Sequence, residues 1–137
     1  MRIDHFLRTI YLGDRACKAI TFDGWNKRVS LIINEISRVR SESGNWEYYN
    51  DENIVDAALV FTGVKAAALS PPGALPSDEI DILSVEPINA AGSLFRIKFH
   101  MVGSVPQSEA LHDLELEVIA EGVHLEDPSQ PGLEIVE

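Results

Sequence analysis

Histidine, cysteine and carboxylate side chains carry most enzyme chemistry, and this chain spaces them without a catalytic signature. The four histidines are His5, His100, His112 and His124. No two of them show the His-x-His or His-x-x-x-His spacing that aims two imidazoles at one metal ion, so we expect no metal site. His112 and His124 could still meet in space. With Glu126 and Asp127 beside them they would form the site of a hydrolase; otherwise they are strand-end or surface histidines.

The single cysteine and the carboxylates give no stronger signal. Cys17 would need a histidine and an electropositive setting to become a nucleophilic thiolate, and no motif supplies either, so we interpret it as a small residue in a strand. Glu115 and Glu117 alternate with leucines, which indicates a solvated strand face rather than paired catalytic acids. Nucleophile elbows and glycine-rich phosphate loops are absent from the sequence. We therefore expect no enzymatic activity and no cofactor.

An aromatic group in a polar segment is the best candidate for a binding site. Residues 41–56 are polar and predict a long loop. Large amphipathic rings on such a loop resemble the anchors that concentrate binding energy at protein interfaces. The candidate binding residues are Trp46, Glu47, Tyr48, Tyr49, Asp51 and Glu52. The alternative is that the three rings cover one open end of the β structure as a small satellite core.

Charge is divided unevenly along the chain, whose formal net charge is −11. Residues 1–40 hold eight of the eleven Lys and Arg against four acids, whereas residues 41–137 hold three against eighteen. An acidic surface repels nucleic-acid phosphates and anionic lipids, and it speeds encounter with a basic partner. We therefore expect a basic protein as the partner, and neither nucleic acid nor a membrane.

Length and composition are those of one folded domain. A chain of 137 residues buries roughly two thirds of the surface that its unfolded form exposes, and 45% apolar residues are ordinary for a globular protein. One cysteine excludes an intramolecular disulfide, residues 1–5 are not a secretion signal, and no apolar run approaches a membrane span. These features predict a cytoplasmic protein. Self-association through an open sheet edge, giving a homo-oligomer, is an alternative.

The N-terminal residues 1–13 predict a single short helix. Asp4 can cap its start and Gly13 can end it. Apolar residues recur between them at helical spacing. These residues are Phe6, Leu7, Ile10 and Tyr11.

Strand periodicity dominates the chain after the helix. An Asp-Gly pair at residues 23–24 lies between two β-branched runs, which predicts a hairpin with a loop longer than two residues. In this hairpin Ile20 should face Leu31, and Phe22 should face Val29. The pattern predicts a strand on each side of the turn, both with one buried face.

The middle of the chain predicts two strands followed by a crossover. Residues 57–61 and 64–69 read as strands joined near Gly63. The Pro-Pro-Gly sequence at residues 71–73 prevents regular ladder pairing and predicts a rigid connection between the two halves of the sheet.

A change of parity follows in the next apolar run. Ile80 and Ile82 alternate on one face, and Leu83 and Val85 alternate on the other. Such a shift by one residue is typical of a β-bulge or a sharp bend.

The last two long strands alternate most clearly between apolar and charged residues. Apolar and charge matching agree on one antiparallel register, as expected when one face is buried and the other is solvated. This register sets Phe99, Ile97 and Phe95 opposite Leu114, Leu116 and Val118, and Lys98, Arg96 and His100 opposite Glu115, Glu117 and Asp113. Arg96 and Lys98 are then engaged in cross-strand ion pairs rather than in phosphate binding.

The predicted fold is a mostly β domain, an antiparallel meander of about seven to nine strands forming a sandwich or partial barrel, with one short N-terminal helix. Residues 16–122 form the β domain. Residues 123–137 contain prolines and acidic residues, which predicts a partly ordered acidic tail.

Five short motifs together resemble a family of small uncharacterised bacterial domains of unknown function that is loosely immunity-protein-like. They are Tyr11-Leu12-Gly13-Asp14, the hairpin from Asp23-Gly24 to Ile36-Ser37-Arg38, Tyr48-Tyr49-Asn50-Asp51-Glu52, Pro71-Pro72-Gly73 and His124-Leu125-Glu126-Asp127-Pro128. The resemblance covers most of the chain and implies a bacterial cytoplasmic binding protein. It transfers no active-site residue.

The sequence therefore predicts a non-enzymatic protein-binding module, an immunity-type neutraliser of a basic toxin being one form of it. The first alternative is a protein that binds a small molecule in the mouth of its β structure, which would require an apolar cavity with convergent polar groups. A hydrolase is the least favoured alternative.

Overall fold

The protein is mostly β, as its sequence predicts. The computed structural model describes residues 2–38 and 52–137. In these ranges the elements are α1 (Ile3–Leu7), β1 (Ile10–Tyr11), β2 (Cys17–Asp23), β3 (Arg28–Arg38), β4 (Glu52–Thr62), β5 (Ala66–Ser70), β6 (Leu75–Pro87), β7 (Phe95–Ser104), β8 (His112–Ala120), β9 (Gly122–Glu126) and β10 (Glu134–Ile135). None of the helical residues in these ranges forms a segment long and apolar enough to cross a membrane.

Two antiparallel sheets face each other across the core. The larger sheet has the order β1-β3-β4-β9-β10, and β2 pairs with β3 on the edge that β1 also uses. The smaller sheet has the order β5-β8-β7-β6. An isolated bridge between Ala16 and Glu79 joins the two sheets on one side. The arrangement confirms the predicted sandwich or partial barrel.

The core forms because both sheets alternate apolar and polar residues with a period of two. In β7, Phe95, Ile97, Phe99 and Met101 are buried, and the residues between them are partly exposed. Phe99 meets Phe61 of the larger sheet edge to face, with ring centroids 5.9 Å apart. Each fully buried side chain of this size contributes about 1.5–3 kcal/mol through removal from water. One cluster of buried apolar residues from both sheets and α1 results.

The helix is shorter than the predicted span of residues 1–13. It ends after Leu7, where the hydroxyl of Thr9 donates to the carbonyl of Phe6 at 2.6 Å. The chain then extends, and Ile10 and Tyr11 pair with the end of β3. A short apolar run is compatible with the helical period of 3.6 residues and with the strand period of two. Here Ile10 pairs with β3 as a strand residue and is buried.

The predicted acidic tail contains a strand of the larger sheet. β9 pairs with residues 58–62 of β4, and Val123 and Leu125 belong to the core. Residues 122–126 are too few for their alternation of apolar and polar residues to predict a strand, and acidic residues and prolines follow them directly. The place of β9 between β4 and β10 therefore appears only in the tertiary structure.

The predicted register of the β7–β8 hairpin is wrong by two residues. Phe99 lies opposite Leu116, and Lys98 lies opposite Glu117. A shift of two preserves the faces, so burial cannot distinguish the registers. Two predicted charge pairs nevertheless form, because long side chains reach diagonal neighbours: Arg96 Nε lies 2.7 Å from Glu117 Oε1, and His100 Nε2 lies 2.8 Å from Asp113 Oδ1.

The β2–β3 hairpin has the predicted register, with Ile20 opposite Leu31 and Phe22 opposite Val29. The predicted irregularity in β6 is also present. The register against β7 shifts between Ile82 and Ser84, which leaves Leu83 exposed.

The Pro-Pro-Gly connection has a different place from the predicted one. Residues 71–73 link β5 to β6, which are the two edge strands of one sheet. The chain instead changes sheets between β4 and β5, where Gly63 has a φ of +58° that glycine adopts without steric strain. Prolines signal that pairing is interrupted, but they do not specify which sheet the next strand joins.

Gly103 allows β7 to approach the start of β6 closely. A Cβ atom at this position would overlap the carbonyl oxygen of Leu75 and lie 2.8 Å from the Cα of Pro76. We expect Gly103→Ala to destabilise the protein by about 1–3 kcal/mol, because backbone atoms must move to admit the methyl group. Urea denaturation measures this change. Gly24→Ala is the control, since no atom lies within 4 Å of its added Cβ; equal losses in the two variants would contradict the steric explanation.

Asp23 stabilises the β2–β3 turn through hydrogen bonds that favour its ionised form. Its carboxylate accepts from the main-chain N–H of Asn26 at 3.0 Å and from Asn26 Nδ2 at 2.9 Å, which lowers the pKa of Asp23. The folded pKa lies below the unfolded one, so this stabilisation is present above about pH 4 and is lost as the pH falls through the folded pKa. We expect Asp23→Ala to lower the Tm at neutral pH, with a deficit that shrinks towards pH 2. A deficit independent of pH, or one shared by Glu109→Ala, would contradict this.

Candidate functional site

The predicted aromatic site lies mostly outside the described residues. This applies to Trp46, Glu47, Tyr48, Tyr49 and Asp51. The sixth candidate, Glu52, begins β4 and is exposed.

The two strands that flank this segment are fixed by buried polar side chains at their ends. Arg38, the last residue of β3, is 1% exposed, and its Nη1 lies 3.9 Å from Glu52 Oε2. Its Nη2 donates to the main-chain oxygen of Glu137. A buried guanidinium needs such partners, because removal of a charge from water is costly.

A hydrogen-bonded chain runs beside Arg38 from the segment before β2 to β3 and β4. Arg15 Nη2 donates to Ser37 Oγ at 2.8 Å, and the Ser37 hydroxyl donates to Asn53 Oδ1 at 2.6 Å. The same guanidinium lies 3.4 Å from Glu35 Oε2. We call Arg15, Ser37, Arg38, Glu52 and Asn53 the loop base. It has no nucleophile with a nearby base, so its chemistry is positioning.

The two histidines of the hydrolase hypothesis lie in different sheets. His112 begins β8 in the smaller sheet, and its Nε2 lies 2.8 Å from Ser108 Oγ. His124 is buried in β9 of the larger sheet, with Nε2 3.4 Å from Glu126 Oε2, an ion-pair distance without hydrogen-bond geometry. Asp127 accepts hydrogen bonds from Ser129. In the described ranges no three His, Cys, Asp or Glu side chains group as metal ligands would.

Cys17 is unsuited to nucleophilic chemistry. It is fully buried at the start of β2, and burial raises the pKa of its thiol to about 11. The thiol is therefore protonated at neutral pH, and only the thiolate is a strong nucleophile. Its observed role is that of a small core residue, as the sequence predicts.

The outer face of the smaller sheet carries an excess of negative charge. The cations of β7 lie between carboxylates of β6 on one side and of β8 on the other. We call this surface the acidic face; it comprises Asp81 and Glu86 of β6, Arg96, Lys98 and His100 of β7, and Asp113, Glu115 and Glu117 of β8. Five carboxylates thus face one arginine, one lysine and one histidine.

Arg96 is engaged within the acidic face, whereas Lys98 forms no ion pair with another described residue. Arg96 lies 2.7 Å from Glu117 and 3.3 Å from Glu86, and these hydrogen bonds raise the pKa of Arg96. Asp81 and Glu115 are exposed, and neither forms an ion pair with another described residue. Their charges are available to a partner.

A groove lies where β2 of the larger sheet passes beside β5 and the start of β6 in the smaller sheet. Its larger hollow, about 490 Å³, is lined by Ile20 and Phe22 of β2 and by Leu69 and Leu75 of the smaller sheet. A smaller hollow of about 190 Å³ shares Phe22. We call the two hollows the seam groove. Phe22 is 51% exposed and Leu75 is 67% exposed, although Phe22 lies opposite the buried Val29.

Sequence reasoning missed the seam groove. The groove depends on Phe22, an apolar residue on the inward face of β2 that no strand of the other sheet covers, and the sequence does not show which residues are left uncovered. Phe22 was expected to be part of the hairpin's buried face. Only the packing of the two sheets shows that Phe22 remains half exposed in a groove.

Comparison with known proteins gives the family of the chain. The model of DUF6258, described as a family of unknown function, matches residues 1–137. The chain belongs to DUF6258. No curated protein and no solved structure gives a significant match. The expected resemblance to a family of unknown function is thereby confirmed, and DUF6258 membership assigns no activity or site.

Ser37 links the loop base, and its replacement tests that link. We expect Ser37→Ala to destabilise the protein by about 1–3 kcal/mol, because Ser37 is fully buried and its loss removes partners from Arg15 and Asn53. Chemical denaturation measures the change. Ser30→Ala, on a partly exposed position of the same strand, should change stability by less than about 0.5 kcal/mol. Similar losses at both positions would show that the loop base contributes nothing specific.

Proposed function

We propose that this member of DUF6258 is a non-enzymatic protein that binds a basic protein partner through the acidic face. The observation that supports this most directly is the excess of carboxylates on one sheet surface, where five carboxylates outnumber three basic side chains and Arg96 is already paired. The overall charge of −11 acts in the same direction. Attraction of a cationic partner accelerates encounter, and it weakens as salt screens the charges.

The geometry of the sheet favours binding over catalysis. The backbones of β7 and β8 are held by an uninterrupted ladder, and β6 pairs with β7 on either side of its register shifts, so little backbone freedom is lost when a partner docks. Carboxylates in this setting are solvated and act as fixed charges. Catalytic carboxylates instead require an enclosing environment that separates their pKa values.

The finer proposal is an immunity-type protein that neutralises a basic toxin in the bacterial cytoplasm by covering its surface. The charge of the chain and the motif resemblance support it. In this proposal Trp46, Tyr48 and Tyr49 add apolar anchors, and Glu47, Asp51 and Glu52 add negative charge around them. The loop base holds the ends of the two strands from which these residues extend.

The test is capture of partners by charge-reversed variants. The purified protein, Asp81→Lys/Glu115→Lys and Trp46→Ala serve as bait in native lysate at roughly 50 and 500 mM salt, and bound proteins are identified by mass spectrometry. We expect a basic protein that is retained at low salt, weakened at high salt, and lost with the double variant. Loss with Trp46→Ala as well would support the aromatic anchors.

The control is Glu109→Lys/Glu134→Lys, which changes the net charge equally at two positions outside β6, β7 and β8. It should retain the partner. Equal loss in both double variants would show that only total charge matters, and the acidic face would not be the site. Absence of any basic protein at low salt would contradict the proposed function.

A further inference from the structure

We propose that the seam groove binds an anionic amphiphile, a carboxylate that carries an alkyl chain. The groove is lined by β2, β5 and the start of β6, whereas the charged side chains of the acidic face lie on the outer surface of β6, β7 and β8. This second site is therefore independent of the proposed protein-binding function. It gives the chain a ligand of opposite charge preference to its protein partner.

The larger hollow fits the alkyl part of such a ligand. Its volume of about 490 Å³ lies within the range of small-molecule sites, and Ile20, Leu69 and Leu75 line it. Phe22 offers an aromatic surface that is half exposed. Contact with an alkyl chain removes these side chains and the chain itself from water.

The smaller hollow fits the anionic end. Lys27, Arg28 and Lys65 line it, with Asp23 as the single acidic lining residue. The carboxylate of Asp23 accepts two hydrogen bonds from Asn26. Cations are scarce in this chain, eleven in total, so three around one small hollow contrast with the negative charge elsewhere.

The pairing of these cations identifies Lys27 as the main contact. Arg28 lies 4.0 Å from Glu134 and Lys65 lies 2.9 Å from Glu121. Both pairs are exposed and therefore weak, so a ligand carboxylate can share them. Lys27 has no ion-pair partner among residues 2–38 and 52–137. Lys18 is the single cation that lines the larger hollow, and it is likewise paired, 2.7 Å from Asp56, so the end with three cations is favoured for the charged group.

The backbone holds Lys27 in a conformation that a lysine rarely adopts. Its φ is +56°, in the left-handed region, and its carbonyl accepts from the N–H of Val64 at 2.9 Å. This hydrogen bond ties the β2–β3 turn to the β4–β5 corner, so the two walls of the smaller hollow are fixed to each other. Asparagine adopts the left-handed region more readily than lysine. Lys27→Asn therefore removes the ammonium group without straining the turn.

The experiment compares decanoate with decanol, which has the same alkyl chain and no charge. Binding is followed by calorimetry and by amide chemical shifts of the full chain. We expect decanoate to bind about tenfold more tightly than decanol, as two or three exposed ion contacts give. The shifts should centre on β2, β5 and the turn at residues 24–27.

The variants separate the two halves of the site. Lys27→Asn/Lys65→Gln should weaken decanoate about tenfold and leave decanol unchanged within about twofold. Phe22→Ser should weaken both ligands about tenfold or more. Lys98→Gln and Leu83→Ser, on other surfaces, are the matched controls and should change neither. The denaturation midpoint of Lys27→Asn should equal or exceed that of the original protein, which excludes unfolding as the cause.

Several results would overturn the proposal. They are the absence of saturable binding up to about 10 mM decanoate, equal affinity for decanol, and shifts centred outside the groove. A dimer in solution that buries Phe22 would assign the groove to a second copy of the chain. Occupation of the groove by an extended peptide with no preference for a carboxylate amphiphile would likewise replace the proposed ligand. None of these results would affect the partner-capture test, which depends on Asp81 and Glu115.

Discussion

The packing of one sheet against the other through a single apolar layer is the constraint on which the rest of the structure depends. Phe99 and Phe61 meet across this layer, and rows of alternate residues on β3, β4, β7 and β8 fill it. Because each strand has a period of two, burial of one row forces the intervening row outward. The charged residues of β7 and β8 therefore reach solvent as a consequence of core packing. The acidic face is the outer side of the same strands that form the core.

The acidic face lies on the outer side of well-packed strands, and the seam groove lies where the packing of the two sheets is incomplete. Across β6, β7 and β8 the strands pair along most of their length, and the outer face carries charged side chains. Where β2 passes beside β5 and the start of β6, the inward-facing Phe22 finds no cover. The β2–β3 turn and Lys65 then place cations beside the exposed apolar surface. A protein with a net charge of −11 thus presents an acidic face and a separate groove with a cationic end.

The sequence pattern correctly predicted the features that depend on residues close together in the chain. The β2–β3 register followed from the Asp-Gly turn, and the shift in β6 followed from the change of parity after Ile82. The register of β7 against β8 did not, because a displacement of two residues keeps Phe99 inward and Lys98 outward. The two registers differ in which residues are paired at the ends of the ladder, where the structure pairs Phe95 with Ala120. The loop base was also invisible in the sequence, since Arg15, Ser37 and Asn53 are brought together only by strand pairing.

The sequence by itself determined the class of fold, the faces of the long strands and the excess of acidic charge. Alternation, turn residues and composition are local properties, and they need no knowledge of distant partners. The tertiary structure decided that residues 122–126 form a strand between β4 and β10, that the chain changes sheets at Gly63, and that Phe22 lies in an open groove. Each of these depends on which strands become neighbours. That choice is made by the collective burial of apolar surface, which no single segment encodes.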